Sequence, residues 1–228
     1  MSILGLFDID GTLIESSKVH VHAFSQAFMK VYGVNATIDM IEHHGMTDPE
    51  IVHEVLMRIG LTEQMIESRF KQCMKMLVES FNELVDENGV VVLEGVREVL
   101  EELKKHHVLL ALVTGNLQAI AREKLKRIDL DHYFHIGAFG SDEMRRRELV
   151  KLAVARAEKH YEVQFSKVFL FGDTPKDMEA GKESGVTTVA VTTGIYSRER
   201  LKKAGADFVL KDLSDIDAVL KILFPQRE

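Results

Sequence analysis

The chain has 228 residues, of which 46% are hydrophobic, and it carries a formal net charge of −7 at pH 7. This length fits one domain with an insertion or two modest domains, and the hydrophobic fraction is sufficient for a substantial core. The acidic balance argues against a surface that binds nucleic acid or an anionic membrane, although it leaves a local basic patch open.

The first part of the chain combines one predicted strand with predicted helices. An apolar run at residues 3–9 predicts a buried strand. Three helices are predicted after it, at 18–32, 48–59 and 62–85. The second follows the start signal Thr47-Asp48-Pro49. The third carries an apolar residue every three or four positions, and this predicts one buried stripe of Ile66, Phe70, Cys73, Leu77, Phe81 and Leu84.

From Gly89 onwards, predicted strands alternate with predicted helices. The strands are expected at 108–116, 136–142, 167–174, 187–194 and 207–210. The helices are expected at 95–106, 116–127, 146–160, 175–184, 198–204 and 215–224. This alternation implies parallel pairing and a doubly wound α/β sheet. We therefore predict a core domain of residues 1–15 and 89–228, with an all-helical domain of residues 16–88 inserted after the first strand.

The cysteine content and the lack of export signals favour a cytoplasmic setting. Cys73 is the single cysteine, which excludes an internal disulfide and suits a reducing compartment. The first residues lack the features of a signal peptide, and no apolar run approaches the roughly 18 residues of a membrane span. We expect a cytoplasmic protein that binds neither nucleic acid nor membrane.

Polar residues follow three of the predicted strands. The first strand ends in Asp8 and Asp10, and later strands end in Thr114-Gly115-Asn116 and Gly172-Asp173-Thr174. Residues two apart on a strand share a face, and sites in open parallel sheets lie beyond the carboxyl ends of the strands. If these strands are neighbours, the carboxylates of Asp8, Asp10 and Asp173 converge.

Converging carboxylates need either protons or a cation. Two carboxylates roughly 6–7 Å apart repel by about 2–3 kcal/mol at an effective dielectric constant of 20. Oxygen ligands favour Mg²⁺, and Mg²⁺ beside a carboxylate is typical of phosphoryl transfer. A single strand-end Asp would fit a turn equally well. Two apolar runs that end in DxDGT and GDTxxD favour a site instead.

The motifs resemble those of the haloacid dehalogenase superfamily. FDIDGTL (7–13) is similar to its first motif, LVTGN (112–116) to its second and FGDTPKD (171–177) to its fourth. They occur in the family's order, and the resemblance covers essentially the whole chain. The predicted helical insertion resembles the family's cap domain, as found in phosphoglycolate phosphatase-like and β-phosphoglucomutase-like members.

The resemblance implies a role for each motif residue. Asp8 would be the nucleophile that forms an aspartyl-phosphate, and Asp10 the general acid and then the general base. Asp8, Asp173 and Asp10, the last through its backbone carbonyl, would bind Mg²⁺ as cofactor. Phosphoryl oxygens would be bound by Thr114, Gly115, Asn116 and the amides of Ile9 to Gly11.

Two positions leave alternatives open. Asp177 lies three residues after Thr174, so it fits the acidic half of a capping box or an acid that supports the metal, and both can hold. The third motif, SDEMRRRELVKLA (141–153), departs from the family's common Lys-Pro pattern. Some relatives use Arg here, and the spacing to Glu148-Leu149 favours Arg146 as the phosphate ligand, whereas Arg145 and Arg147 fit a solvated helix end.

The segment HHGMTDPEI (43–51) lies where related caps place a loop that faces the active site. His44, Thr47 and Asp48 are therefore candidates for contact with the leaving group, although Thr47 or Asp48 could simply cap a helix. The crossings between the two domains, around 14–18 and 88–94, predict a hinge that closes the site. Surface or packing roles are expected for His20, His22, His106 and His107.

The resemblance implies a Mg²⁺-dependent phosphatase of small phosphomonoesters, of the phosphoglycolate or sugar phosphate class. A phosphomutase of the β-phosphoglucomutase type shares every core residue and is the nearest alternative. A dehalogenase is disfavoured because family dehalogenases need no metal and lack an acid at the position of Asp10. A phosphonate hydrolase would need a cap lysine, such as Lys18 or Lys30. A catalytically silent binding protein would normally have lost one of the motif acids, and none is lost in this sequence. We expect a monomer or weak homodimer.

Overall fold

Six parallel strands form one sheet in the part of the chain that the structure describes, residues 2–15, 18–86 and 89–225 of a computed structural model. They are β1 Ile3–Phe7, β2 Leu109–Thr114, β3 Ile136–Phe139, β4 Lys167–Gly172, β5 Thr187–Val191 and β6 Phe208–Leu210. Their order across the sheet is β3-β2-β1-β4-β5-β6. β1 pairs with both β2 and β4, which confirms that the three strands with polar ends are neighbours.

Helices follow the strands in the order that the sequence predicts. The insertion after β1 contains α1 Lys18–Tyr32, α2 Asp48–Arg58, α3 Glu63–Glu67 and α4 Phe70–Leu84. The remaining helices are α5 Val96–Lys105, α6 Gln118–Arg127, α7 Arg146–Tyr161, α8 Pro175–Glu183, α9 Arg198–Lys203 and α10 Ile216–Leu223. Short 3-10 turns at Ile38–Met40 and Asp131–Tyr133 were not expected. None of the described helices combines the length and apolarity needed to cross a membrane.

Helices cover both faces of the sheet. Leu4 and Leu6 of β1 pack on one face against α7 and α8, whereas Ile3 and Phe7 belong to the cluster that includes α5, α6 and α10. The Phe7 ring stacks on Phe171 of β4 at 4.5 Å. Burial on both faces explains why the parallel strands appear in the sequence as unbroken apolar runs. The predicted doubly wound α/β class is confirmed.

The predicted helix at 62–85 is wrong in its continuity, because the structure contains two helices, α3 and α4. Arg69 lies between them with φ −128°, outside the helical range. Two hydrogen bonds to α1 hold the break: the Tyr32 hydroxyl donates to the carbonyl of Ile66 at 2.8 Å, and Arg69 donates to the carbonyl of Val31 at 2.9 Å. The predicted stripe still contacts α1, and its fully buried members are Ile66, Cys73, Leu77 and Phe81.

The two chain crossings between core and insertion lie side by side. The amide of Glu15 donates to Val91 at 2.9 Å, and the amide of Leu93 donates to Leu13 at 3.0 Å. The proposed domain boundaries at 16 and 88, and the centre of the first predicted hinge, fall on residues outside the described ranges. The described flanks form a two-stranded connection, which is compatible with rotation of the insertion as one unit.

Candidate active site

Three buried carboxylates meet beyond the carboxyl ends of β1 and β4. Asp8 directly follows β1, Asp173 directly follows β4, and Asp177 lies in the first turn of α8. Each offers an oxygen within 4.8 Å of the other two. The sheet order brings Asp8 and Asp173 together as the sequence suggested, but the third side chain of the cluster is Asp177 rather than Asp10.

Asp10 lies apart because β1 ends earlier than the predicted strand. The last strand residue is Phe7, and the backbone turns immediately afterwards through Gly11 at φ +77°. The rule that residues two apart share a face therefore does not apply to Asp8 and Asp10. The Asp10 carboxylate points instead toward α6, where it accepts hydrogen bonds from Asn116 at 2.8 Å and from Lys124 at 2.7 and 2.8 Å.

The backbone encloses the Asp173 carboxylate closely. A Cβ atom at Gly11 would lie 2.4 Å from Asp173 Oδ2, and one at Gly194 would lie 1.8 Å from it. Only glycine leaves room for the carboxylate at these two positions. The Oδ1 atom of Asp173 is buried and forms no hydrogen bond among the described residues.

Burial and mutual repulsion raise the pKa values of the clustered acids. Burial raises the pKa of Asp8 to about 7, opposed by Arg146 and aided by Asp177 and Asp10. Burial, together with Asp177 and Asp8, raises the pKa of Asp173 well above its usual value. For Asp10, by contrast, the effect of burial is outweighed by Lys124 and His20, and its pKa lies below the usual value. The pKa values of the two acids of the first motif are therefore shifted in opposite directions.

Arg146, the first residue of α7, supplies positive charge to the cluster. One guanidinium nitrogen, Nη2, lies 2.9 Å from Asp8 Oδ1 and 2.5 Å from Asp177 Oδ1. Burial opposes the charge of Arg146, but Asp177 and Asp8 outweigh it and raise the pKa of the guanidinium. Arg147 instead pairs with Glu148 and Glu183 at the surface. Of the three candidate arginines, the structure places Arg146 at the acids.

Asp177 forms a capping box and also lies in the acid cluster. The hydroxyl and amide of Thr174 both donate to Asp177 Oδ2, at 2.6 and 3.1 Å, and the Asp177 amide donates back to the hydroxyl. This capping box fixes the start of α8. The other oxygen, Oδ1, faces Arg146 and the acid cluster. A single carboxylate therefore caps the helix and completes the cluster.

The second motif brings the core against the insertion. Asn116 donates to the hydroxyl of Thr114 through both its backbone amide, at 3.3 Å, and its side-chain amide, at 3.0 Å. The carbonyl of Gly115 accepts a hydrogen bond from the amide of Asp48 at 2.8 Å. A Cβ atom at Gly115 would lie 2.2 Å from the carbonyl oxygen of Met46. Glycine at 115 thus permits the close approach of the cap loop.

The cap loop residues have different surroundings. Thr47 forms a capping box with Glu50, and its hydroxyl also donates to Met144 of the core at 3.2 Å. Asp48 is buried, and its Oδ2 atom accepts a hydrogen bond from the amide of Leu117 at 2.7 Å. His44 is half-buried and stacks on His43; burial and that neighbour lower its pKa. Thr47 and Asp48 therefore dock the insertion as well as beginning α2.

A cavity of about 110 Å³ lies between the acids and the insertion. This volume suits a small molecule. Its floor contains the catalytic candidates Asp8, Asp10, Asp173 and Arg146, together with Asn116. The insertion contributes both apolar side chains and histidines to the cavity lining. They include His20, Phe24, Ile38, His43, His44 and Ile51.

The sequence matches the haloacid dehalogenase-like hydrolase family over residues 5–191. The chain belongs to this family. A phosphorylated carbohydrates phosphatase of Thermotoga maritima is 28% identical over 223 residues, which are 96% of this chain and 98% of that protein. Pyrophosphatase PpaX of Halalkalibacterium halodurans is 26% identical over 220 residues, 92% of this chain and 93% of that protein. A solved hydrolase structure from Pseudomonas syringae has the same fold, with a TM-score of 0.73 at 22% identity and coverage of 97% and 99%.

The family match confirms the predicted family, fold class and assignment to the hydrolases. The acid cluster of this haloacid dehalogenase-like hydrolase has the chemistry of a metal site. Hard carboxylate oxygens, among them the buried Asp173 Oδ1 that forms no hydrogen bond within the described residues, make a donor set that suits Mg²⁺. The carboxylates of Asp8, Asp173 and Asp177 lie close enough together to fit a divalent cation.

The sequence interpretation missed two residues beside the site. Lys124 of α6 is fully buried and contacts Asp10. His20 of α1 packs against Phe24 and Phe81, as a packing histidine would, but it also lines the cavity and lies 3.3 Å from Lys124. A sequence signal for Lys124 existed, because it falls on the apolar stripe of its helix beside the buried Ile120, Ala121 and Leu125.

Proposed function

We propose that this haloacid dehalogenase-like hydrolase is a Mg²⁺-dependent phosphatase that hydrolyses a small phosphomonoester through an aspartyl-phosphate on Asp8. The observation that carries the proposal is the convergence of the three carboxylates with Arg146 at the base of a cavity between core and insertion. Relatives named as phosphatases of phosphorylated carbohydrates and as pyrophosphatases support a phosphorylated substrate. The small cavity favours a monoester of modest size.

Asp8, Asp173 and Asp177 would hold Mg²⁺, together with the backbone carbonyl of Asp10. When bound, the ion would neutralise the carboxylates and the phosphoryl oxygens near them. The residues of the chain supply the remaining steps. Arg146 lies 2.9 Å from Asp8 Oδ1, so it holds the nucleophile and can donate to a phosphoryl oxygen in the same place.

Catalysis would proceed in two displacements. In the first, a carboxylate oxygen of Asp8 bonds to phosphorus as the bond to the leaving oxygen breaks, and Asp10, which enters this step in its protonated form, gives that oxygen its proton. In the second, water attacks the phosphorus of the aspartyl-phosphate and transfers a proton to Asp10, which frees inorganic phosphate and restores Asp8. Donors at Thr114, Gly115 and Asn116 lie at the adjoining strand end and would stabilise the charge on the phosphoryl group.

A phosphomonoester panel tests the proposal. We expect Mg²⁺-dependent release of phosphate from small monoesters, and loss of activity by at least about 10³-fold in the isosteric variant Asp8→Asn. Asp217→Asn, at an exposed position on α10, is the matched control and should retain activity. Acid-quenched enzyme should carry phosphate on the peptide that contains Asp8.

Three results would contradict the proposal: no hydrolysis across the panel, full activity of Asp8→Asn, or activity that is independent of Mg²⁺. Isomerisation of a sugar phosphate without release of phosphate would identify a phosphomutase instead. A phosphomutase would use the same acid cluster and the same nucleophile. Such a result would therefore change the assigned reaction and leave the assigned site residues in place.

A further inference from the structure

Lys124 is a fully buried cation in the middle of an apolar helix stripe. An ammonium group taken out of water costs several kcal/mol unless it is paired with excellent geometry, and an apolar residue of similar volume often gives equal or greater stability. The stripe residues Ile120, Ala121 and Leu125 show what packing alone would select at this face. Stability therefore does not explain a lysine here, and its contacts indicate another role.

The Lys124 ammonium clamps the Asp10 carboxylate. Its Nζ atom lies 2.8 Å from Oδ1 and 2.7 Å from Oδ2 of Asp10, and 2.6 Å from Oδ1 of Asn116. Asn116 closes the arrangement by donating to Asp10 Oδ2 at 2.8 Å. Both oxygens of Asp10 are thus held, and the carboxylate has little freedom to rotate. An ammonium group has three N–H donors, so these three oxygens match its full donor set and a fourth contact shares one of the donors.

The fourth contact comes from the insertion. The Nδ1 atom of His20, on α1, lies 3.3 Å from Lys124 Nζ, and the Phe81 ring of α4 lies 5.9 Å from the same nitrogen. A charged ammonium can only donate, so a hydrogen bond at this contact requires His20 to accept at Nδ1 and to carry its proton on Nε2. That Nε2 atom lies 3.4 Å from Asp48 Oδ1.

The contacts form a closed path between core and insertion. Asp48 accepts a hydrogen bond from the amide of Leu117, which directly precedes α6, the helix that carries Lys124. The path therefore runs from Lys124 to His20, to Asp48 and back to the core. Two of its members, His20 and Asp48, belong to the insertion. Lys124 has its full set of partners only while the insertion is seated on the core.

We propose that Lys124 is a positioning residue: it holds the Asp10 carboxylate in the orientation needed at the leaving oxygen, and through His20 it links that orientation to the seating of the insertion. The inference rests on the proposed function, because Asp10 is the group that would touch the leaving oxygen. Lys124 itself is fully buried and acts through Asp10.

The dependence on the leaving group separates this role from a purely structural one. An aryl phosphate such as p-nitrophenyl phosphate needs little protonation of its leaving oxygen, whereas an alkyl phosphate needs it. General acid catalysis contributes about 10²–10⁴-fold. We expect Lys124→Met to lower kcat for an alkyl phosphate by about 10²-fold, to lower kcat for the aryl phosphate by less than about 10-fold, and to leave KM nearly unchanged. The exposed neighbour Lys126→Met, on the same helix, is the matched control.

A double-mutant cycle with Asp10→Asn adds a second readout. If Lys124 acts through Asp10, Lys124→Met should have little further effect on kcat in the Asp10→Asn background, because the group it positions is already lost. A purely structural lysine would lower kcat by the same factor in both backgrounds and for both substrates. That additive, leaving-group-independent result overturns the proposal.

His20→Phe gives an independent test that leaves the buried charge in place and does not depend on the folding of Lys124→Met. We expect the same preference for the aryl phosphate, with a smaller loss of about 10-fold on the alkyl phosphate. Equal losses on both substrates would overturn the link to the insertion. Wild-type enzyme that hydrolyses neither substrate with Mg²⁺ would overturn the proposed function, whereas an active wild type with leaving-group-independent variants would overturn only the role of Lys124.

Discussion

Gly115→Ala tests whether close seating of the insertion is required for activity. The added Cβ would lie 2.2 Å from the carbonyl oxygen of Met46 and 3.0 Å from the Cα of Thr47, both backbone atoms. Ordinary contact distances require the cap loop to retreat by about 1 Å. The amide of Asp48, the next residue of the cap loop, donates to the carbonyl of Gly115 at 2.8 Å, and this hydrogen bond would lengthen as the loop retreats.

A displacement of about 1 Å at a catalytic site can reduce the rate by about 10²-fold. We therefore expect kcat of Gly115→Ala with a small phosphomonoester to fall by about 10²-fold. The thermal midpoint should change little, because the new methyl group meets the insertion and leaves the sheet intact. Steady-state kinetics with Mg²⁺, and calorimetric unfolding of the same preparations, measure the two quantities.

Gly33→Ala is the control for a general glycine effect. Gly33 has φ +71°, and a Cβ atom added there would meet no described atom within 4 Å. Alanine at this position should therefore cost about 1 kcal/mol of stability and leave kcat unchanged. If Gly115→Ala retains kcat within about threefold of wild type, contact at residues 46–47 is not needed for catalysis, and the reasoning from close approach fails.

Three further outcomes follow from the charges of the site. Arg146→Lys should lower kcat/KM by at least about 10-fold, because an ammonium cannot donate in the planar geometry of the guanidinium that joins Asp8 and Asp177; the surface control Arg147→Lys should match wild type in the same assay. Mg²⁺ binding should release more protons at pH 6 than at pH 9, because the pKa of Asp8 is about 7 without metal. Calorimetry in buffers of different ionisation enthalpy measures the number of protons released. Equal release at both pH values would refute the expectation. In metal-free protein, folding raises the pKa of Asp8 from 3.8 to about 7. Between these two pH values the folded state holds a proton on Asp8 that the unfolded state has lost. The wild type should therefore lose stability relative to Asp8→Asn as the pH rises from 4 to 7. Urea unfolding of both proteins across that window would show a constant difference if the shift is absent.

Local sequence patterns were sufficient to predict the elements that frame the site. Hydrophobic periodicity, helix caps and strand-ending motifs placed the elements from β1 to α10 close to their observed bounds, because each of these signals is contained within a short segment. The break between α3 and α4 was not predictable in this way. It depends on hydrogen bonds from Tyr32 to Ile66 and from Arg69 to Val31, which join segments more than thirty residues apart.

The sequence predicted two of the three acids in the cluster and left the role of the third open. The pairing of Asp8 with Asp173 follows from strand order, which the alternation of strands and helices implies. The third acid depends on where β1 ends. Because the backbone turns after Phe7, Asp10 points toward α6, and Asp177 from the α8 capping box joins the cluster instead. Strand alternation gives no information beyond the last paired residue.

By itself, the sequence determined the doubly wound class, the helical insertion and the strand ends at which the acids gather, since these depend on periodicity and on the rules of parallel sheets. Only the tertiary structure decided that Lys124 meets Asp10 and His20, across 114 and 104 residues of chain respectively. A buried lysine in a helix stripe has no periodicity of its own, and its partner is set by how α1 and α6 pack. Pairing across elements depends on packing geometry, which local patterns do not encode.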